Sequence, residues 1–115
     1  MTILDLLLRP LRSARVTRPY PGLTDVPDRG RRGTPVLNAE ACVASADCVR
    51  ACPTAAISVL DGQEGKTWQI DYGSCIFCGR CLDVCPTSAI ASSSDFELAQ
   101  RRREDVVATY RLRQR

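Results

Sequence analysis

The sequence predicts an α+β fold: a small cysteine-bearing core built from an internal repeat, with a helical arm at each end. Three observations predict it. The chain has 115 residues, enough for one domain with appended arms. All seven cysteines fall between positions 42 and 85. A shift of 33 positions lays that stretch onto itself, so that Cys42, Cys48, Cys52, Pro53, Thr54, Ala56 and Ile57 land on Cys75, Cys81, Cys85, Pro86, Thr87, Ala89 and Ile90. The repeated phrase is C-x2-[SC]-x2-C-x3-C-P-T-x-A-I, and Ser45 stands where the second copy has Cys78.

Charge divides the chain in the same places. Residues 1–35 hold seven Arg against three Asp, residues 36–91 hold three basic and six acidic side chains, and residues 92–115 hold six Arg against four acids. The reading is an N-terminal helix and extended basic arm over 1–35, a core over 36–91, and a basic C-terminal helix over 92–115. In the first segment Ile3, Leu4, Leu7, Leu8 and Leu11 recur at helical spacing, with Pro10 near the end. That stripe suits a helix folded on its own core or one docked on a partner or membrane face. Residues 12–35, with Arg12, Arg15, Arg18 and a run of Pro and Gly, read as extended and irregular. Between the cysteine motifs, Ile57–Leu60 and Lys66–Ile70 are strand-like runs about the Gly-bearing turn 61–65, which predicts a hairpin. At the far end Ser94 is an N-cap candidate with Asp95 and Glu97 in the first turn, opening a helix through Arg103 toward Arg115.

Composition excludes several chemistries. Without histidine there is no Ser-His-Asp or Cys-His catalysis, no Rieske centre, and no His-ligated haem or zinc. Seven is an awkward count for a disulfide framework. The N-terminal segment carries Asp5 and only a short apolar run, unlike a secretory signal. Nothing approaches the roughly 18 consecutive apolar residues of a membrane span. A cytoplasmic chain with thiols for metal or redox work is the expectation.

The second motif, Cys75-Ile-Phe-Cys78-Gly-Arg-Cys81-Leu-Asp-Val-Cys85-Pro86, has the C-x2-C-x2-C-x3-C-P spacing of bacterial-type iron–sulfur proteins. Three thiolates two residues apart wrap a loop around one cube. The fourth, expected at the start of a short helix, reaches the other cube, and Pro53 and Pro86 suit the first turn of that helix or its exit from the loop. Carried through both copies, the pattern assigns one [4Fe–4S] cluster to Cys75, Cys78, Cys81 and Cys52. The second cluster falls to Cys42, Cys48 and Cys85, with Ser45 at the fourth corner. Three states compete there: [3Fe–4S], or [4Fe–4S] with its corner iron on the Ser45 oxygen, or on water or another donor. Asp47 is a further candidate oxygen, although an exposed carboxylate explains it as well. Zinc and disulfides are the rival uses of the seven thiols; structural zinc more often takes two separated C-x2-C pairs. Trp68, Ile57, Ile76, Phe77 and Ile90 are expected to form the apolar cover that tunes such clusters.

With these residues in view, the core resembles a two-cluster bacterial ferredoxin. The stretch Arg32-Gly-Thr-Pro35, Asn38, the Trp68 strand, Cys75–Cys81, Val84-Cys-Pro-Thr87, Phe96-Glu-Leu-Ala99 and Arg103-Glu-Asp105 narrow the likeness. Together they resemble the ferredoxin-like subunit of formate hydrogenlyase and group 4 membrane-bound [NiFe] hydrogenases, itself similar to the two-cluster subunit of respiratory NADH:quinone oxidoreductase. The resemblance covers about residues 20–105 and departs at Ser45. It implies a non-catalytic electron carrier set among other iron–sulfur and [NiFe]-type subunits, on the inner face of the membrane. Such a subunit would take electrons from a formate- or CO-oxidising arm and pass them toward the [NiFe] subunit, or toward quinone in the respiratory relatives. A soluble ferredoxin, a redox sensor built on the Ser45 cluster, and a zinc-held interaction module are the alternatives. For the basic arms, an acidic subunit or anionic headgroups fit better than nucleic acid, since no recognition fold accompanies them.

Overall fold

The left-handed backbone that a two-residue thiolate spacing demands recurs through the core, and it is where the fold begins. In the computed structural model, which describes residues 2–12, 17, 19, 20 and 32–113, five residues other than glycine have positive φ: Ala44, Ala46, Ala55, Phe77 and Ser88. Three pairs of left-handed residues lie 33 positions apart: Ala44 and Phe77, Ala46 and Gly79, Ala55 and Ser88. A side chain in this region costs about 1–2 kcal/mol. Three of the five are alanine, which avoids a bulky or β-branched side chain there but still carries the Cβ that makes this backbone costly.

Helix α1 spans Ile3–Arg12 and opens on a reciprocal cap, in which the Thr2 amide reaches the Asp5 carboxylate and the Asp5 amide reaches the Thr2 hydroxyl. Its apolar stripe stays exposed, Leu7 at 66% and Leu11 at 82%, so among the described residues the helix does not fold onto its own core. About two thirds of the predicted extended arm, residues 12–35, lies outside the described residues, and its last two residues, Thr34 and Pro35, open strand β1.

The core runs β1 (Thr34–Leu37), α2 (Asp47–Ala51), β2 (Ile57–Gly62), β3 (Gly65–Asp71), α3 (Arg80–Asp83), β4 (Ile90–Ser93) and β5 (Val107–Arg111). The predicted hairpin is present: β2 and β3 pair antiparallel from Ile57 opposite Ile70 to Gly62 opposite Gly65. Strands β1 and β4 pair antiparallel as a separate two-stranded sheet, Leu37 opposite Ile90. Each sheet therefore joins a strand from one sequence copy to a strand from the other. The Asn38 amide donates to the Ala89 carbonyl and the Asp71 amide to the Ala56 carbonyl, both at 2.8 Å and again 33 residues apart. Between the sheets lie Leu37, Ile57, Trp68, Ile70, Ala89, Ile90 and Leu112, all buried.

The C-terminal segment corrects the sequence reading. Residues 94–103 form no helix; the Asp95 amide is taken by the Ser93 hydroxyl and the Glu97 amide by the Asp95 carboxylate, local bonds that compete with helical ones. A single 3₁₀ turn, Glu104–Val106, leads into β5, which pairs antiparallel with β3. Ala108 and Tyr110 face the core, with Leu112 buried beyond them, while Thr109, Arg111 and Arg113 face out. That period of two is a strand's, and the open edge of β3 completes it.

Gly33, with φ near +79°, marks where β1 begins against β4. A Cβ there would overlap the Ser92 hydroxyl and come within 2.9 Å of the Ser93 carbonyl. Gly33→Ala is therefore expected to destabilise the protein by about 2 kcal/mol, through strained φ and the opened β1–β4 pair. Thermal unfolding of the iron-loaded protein checks it.

Candidate iron–sulfur sites

Each cysteine motif folds as a loop, a one-turn helix and an exit turn. In the first, the left-handed residues Ala44 and Ala46 flank Ser45, and Cys48 lies on α2. In the second, Phe77 and Gly79 flank Cys78, and Cys81 lies on α3. Alternation of left-handed and ordinary backbone curls a chain into a concavity with amide groups turned inward, a setting that favours anionic groups. Here the Phe77 amide donates to Cys75 Sγ at 3.4 Å. The fourth cysteine of each motif departs from expectation. Cys52 caps the end of α2 and Cys85 follows α3, so the helix precedes the fourth thiol; Pro53 and Pro86 stand in the exit turns. The helix carries the third thiol inward and then releases the chain so that the fourth can turn toward the other loop.

The consequence is two cavities, each lined from both halves of the chain. Cys52, Cys75, Cys78 and Cys81 line one, with Pro35, Ile57, Ile76 and Phe77 among its walls. Cys42, Ser45, Cys48 and Cys85 line the other, with Leu37, Val59, Trp68 and Ile90. The two sets drawn from the repeat are thus brought together as two groups. Asp47 is not among the lining residues; its carboxylate pairs with Arg50. Among the described residues no three His, Cys, Asp or Glu side chains converge closely enough to hold a single metal ion.

The chemistry of this donor set fits iron–sulfur clusters, whose irons carry one outer thiolate each. Burial pushes the Cys81 thiol up to about 11, with the neighbouring Cys75 adding to the shift. Burial also raises Cys48, against the Trp68 indole, and raises Cys75 against the Phe77 amide. Cys52 and Cys85 behave alike and in the opposite sense. Burial raises each, but the hydrogen bonds they accept outweigh it and lower both. The donors correspond across the repeat: Ala56 N to Cys52 Sγ at 3.3 Å and Ala89 N to Cys85 Sγ at 3.2 Å, with Thr54 and Thr87 beside them. These are the two thiols that cross between halves.

The apolar cover is mostly as expected. Trp68 is fully buried, Ile57 and Ile90 nearly so, and Phe77 is half-buried. Ile76 is the exception: it lines the same cavity yet is 61% exposed. Trp68 has a role beyond cover: its indole N–H donates to Cys48 Sγ at 3.4 Å, and its ring meets Tyr110 edge-on at 5.6 Å.

Sequence reasoning missed the groups that hold the second loop. Asp71 accepts from the Gly73 amide at 2.9 Å, from the Ser74 hydroxyl at 2.7 Å, and from both arms of the Arg103 guanidinium. The Arg103 bonds, and then Ser74, hold its carboxyl well below the usual carboxylate range. The Asp71 carbonyl takes the Cys75 amide, so the C-terminal segment clamps the chain where the second motif starts. Arg32 donates to the Cys78 carbonyl at 3.0 Å and braces the same loop from the other side. An Asx turn at Asp71-Tyr-Gly73-Ser74 is the local signal that could have found Asp71; its distant Arg103 partner has none.

Comparison with known proteins agrees with this geometry. Residues 41–89 match the 4Fe–4S dicluster domain family. Over 104 residues the chain is 42% identical to formate hydrogenlyase subunit 6 of Escherichia coli (strain K12), a match covering 89% of this chain and 58% of that protein. It also superposes, with TM-score 0.61 and 31% identity, on a chain of the membrane-bound sulfane sulfur reductase, an archaeal respiratory membrane complex, covering 90% of this chain and 57% of that one. The chain thus spans a little under three fifths of each relative. Its cysteine-bearing segment is similar to the 4Fe–4S dicluster family, and most of its length is similar to formate hydrogenlyase subunit 6.

Proposed function

We propose that this chain is an electron-transfer subunit that relays electrons between redox partners in a membrane-associated complex of the hydrogenase or formate hydrogenlyase kind, and has no catalytic site of its own. The observation that carries the reading is the pair of cysteine-lined cavities, each drawing one thiol from the opposite motif. Cys75, Cys78, Cys81 and Cys52 would hold a [4Fe–4S] cluster. Cys42, Cys48 and Cys85 would hold the second, with an oxygen from Ser45 or water at the remaining corner, or [3Fe–4S] in its place. When bound, such clusters accept and donate single electrons. The chain's own residues then act on potential and access. Trp68, Ile57 and Ile90 exclude water, amide and indole N–H groups stabilise negative charge on sulfur, and the crossing thiols Cys52 and Cys85 keep the two sites adjacent.

The reading extends to the architecture. The 33-residue correspondences of backbone, hydrogen bonds and strand pairing support a pseudo-twofold core, to which β5 adds a strand without a repeat equivalent. Helix α1, with its uncovered apolar stripe, supplies a surface for a partner subunit or the membrane face. Among the described residues no helix is long and apolar enough to cross a membrane, which suits peripheral attachment through a complex.

Iron and acid-labile sulfide determination on anaerobically purified protein, followed by EPR of the reduced form, tests this. The expected result is sulfide for two clusters and two interacting paramagnets after reduction. Zinc without sulfide would instead establish a structural interaction module.

A further inference from the structure

The two sites differ in more than one atom, and the differences converge on Ser45. Cys78, the equivalent position in the second motif, is half-buried, and Arg32 is bonded to its carbonyl. Beside it Pro35, from a strand at the other end of the core, is buried and walls the cavity. Ser45 lines its cavity but is itself exposed, as is the adjoining Val43. The same loop also borders an open cleft of about 570 Å³, lined by Cys42, Val43 and Ala44 on one side and by Asp61, Lys66 and Arg113 on the other. One corner of this site therefore combines the weakest donor with a solvent-facing position.

We propose that Ser45 makes its corner a reversible site for one divalent iron, taken up and released from solvent while the other three irons stay held by Cys42, Cys48 and Cys85. The proposal rests on the two-cluster reading above and adds a function that reading does not contain. The chemistry follows from the donors. A thiolate suits iron in a sulfide-rich setting, whereas a serine hydroxyl is a hard donor that must lose a proton of far higher pKa to compete. Three corners are closed by thiolates; the fourth depends on an oxygen that water can replace. Release balances as [4Fe–4S]2+ giving [3Fe–4S]+, Fe2+ and one electron, the electron passing to a one-electron oxidant such as ferricyanide. Uptake is the reverse, with Fe2+ and one electron from dithionite. The second site has no such corner, because Cys78 supplies a thiolate and the bonded Arg32 lies over its loop. The relay would then carry one invariant cluster and one whose nuclearity follows the supply of ferrous iron and oxidant.

The test uses the full chain purified anaerobically, with 57Fe2+ as the probe. After ferricyanide treatment, the wild type is expected to lose one iron per chain and show the EPR signal of an oxidised [3Fe–4S] cluster. Dithionite with 57Fe2+ should restore that iron, and Mössbauer spectra should place the label at a single corner. Ser45→Cys should keep its iron under the same treatment, with release slowed beyond the roughly tenfold that an outer partner of a metal ligand is worth. Ser45→Ala, which keeps the small side chain, should still exchange. If the protein is isolated with [3Fe–4S], uptake of one 57Fe2+ is the supporting result and refusal overturns the proposal. Retention of all iron by the wild type, or equal loss from wild type and Ser45→Cys, also overturns it. Iron and sulfide too low for two clusters in every variant would instead sink the two-cluster reading.

Discussion

Stripping iron from the purified protein is expected to unfold the core, abolishing the cooperative thermal transition together with the near-ultraviolet signal of Trp68. The side chains explain why. Among the described residues the three largest fully buried ones are Trp68, Ile70 and Thr34, and one of those is polar. The buried cluster around them is small and includes a cysteine, Cys81. Against this stand five non-glycine residues in left-handed backbone, each costing about 1–2 kcal/mol. A domain of this size has about 5–15 kcal/mol of net stability in favourable cases. Ligation at structural metal sites contributes about 10 kcal/mol or more, enough to decide between folded and unfolded chain. The loops 42–48 and 75–81 would lose the cause of their shape. Chelation under reducing conditions, followed by circular dichroism, checks the expectation; a native-like spectrum at full iron loss would falsify it.

Replacing Trp68 should have the next largest effect, and two variants separate its two roles. Trp68→Ala removes a fully buried ring between β5 and the cavity of Cys42, Cys48 and Cys85, at a cost of about 3–5 kcal/mol. In a core this small, the expected outcome is poor loading of that site and a protein that aggregates. Trp68→Phe keeps most of the packing and deletes the N–H donated to Cys48 Sγ. Hydrogen bonds to cluster sulfur favour the more negative, reduced state. The phenylalanine variant should therefore fold, and the Ser45-side cluster should titrate at a lower potential while the other cluster is unmoved. EPR-monitored redox titration reads both at once. Equal shifts in the two clusters would mean that Trp68 acts through the fold and not through its bond.

The cysteine placement was legible in the sequence because spacing acts locally. Three thiols two residues apart favour one loop, and a repeat supplies its partner, so the grouping of the cavity-lining cysteines followed from position alone. The hairpin was legible for the same reason, as β-branched and aromatic residues flank a tight turn. The C-terminal strand was readable as well, since Val107-Ala-Thr-Tyr-Arg111-Leu112 alternates with period two. The arginines around it and the Ser94-Asp95 cap signal favoured a helix instead. What decided the outcome was not local: the open edge of β3, and serine and aspartate side chains that satisfied the backbone of 93–97 by themselves. The Asp71–Arg103 fork and the Arg32 brace were likewise out of reach, because 32 and 46 residues separate their partners.

The pairing of β1 with β4 and of β3 with β5 also sets when the protein can mature. Strand β1 is made early but has no partner until residues 90–93 exist, and Trp68 is not covered until Tyr110 has been added. Each cavity likewise lacks a wall until Cys75 to Cys85 follow Cys42 to Cys52. No folded half can emerge from the ribosome ahead of the other. Until the second motif and the strands after it have been made, Cys42, Cys48 and Cys52 are carried on a segment with no finished core to shelter them.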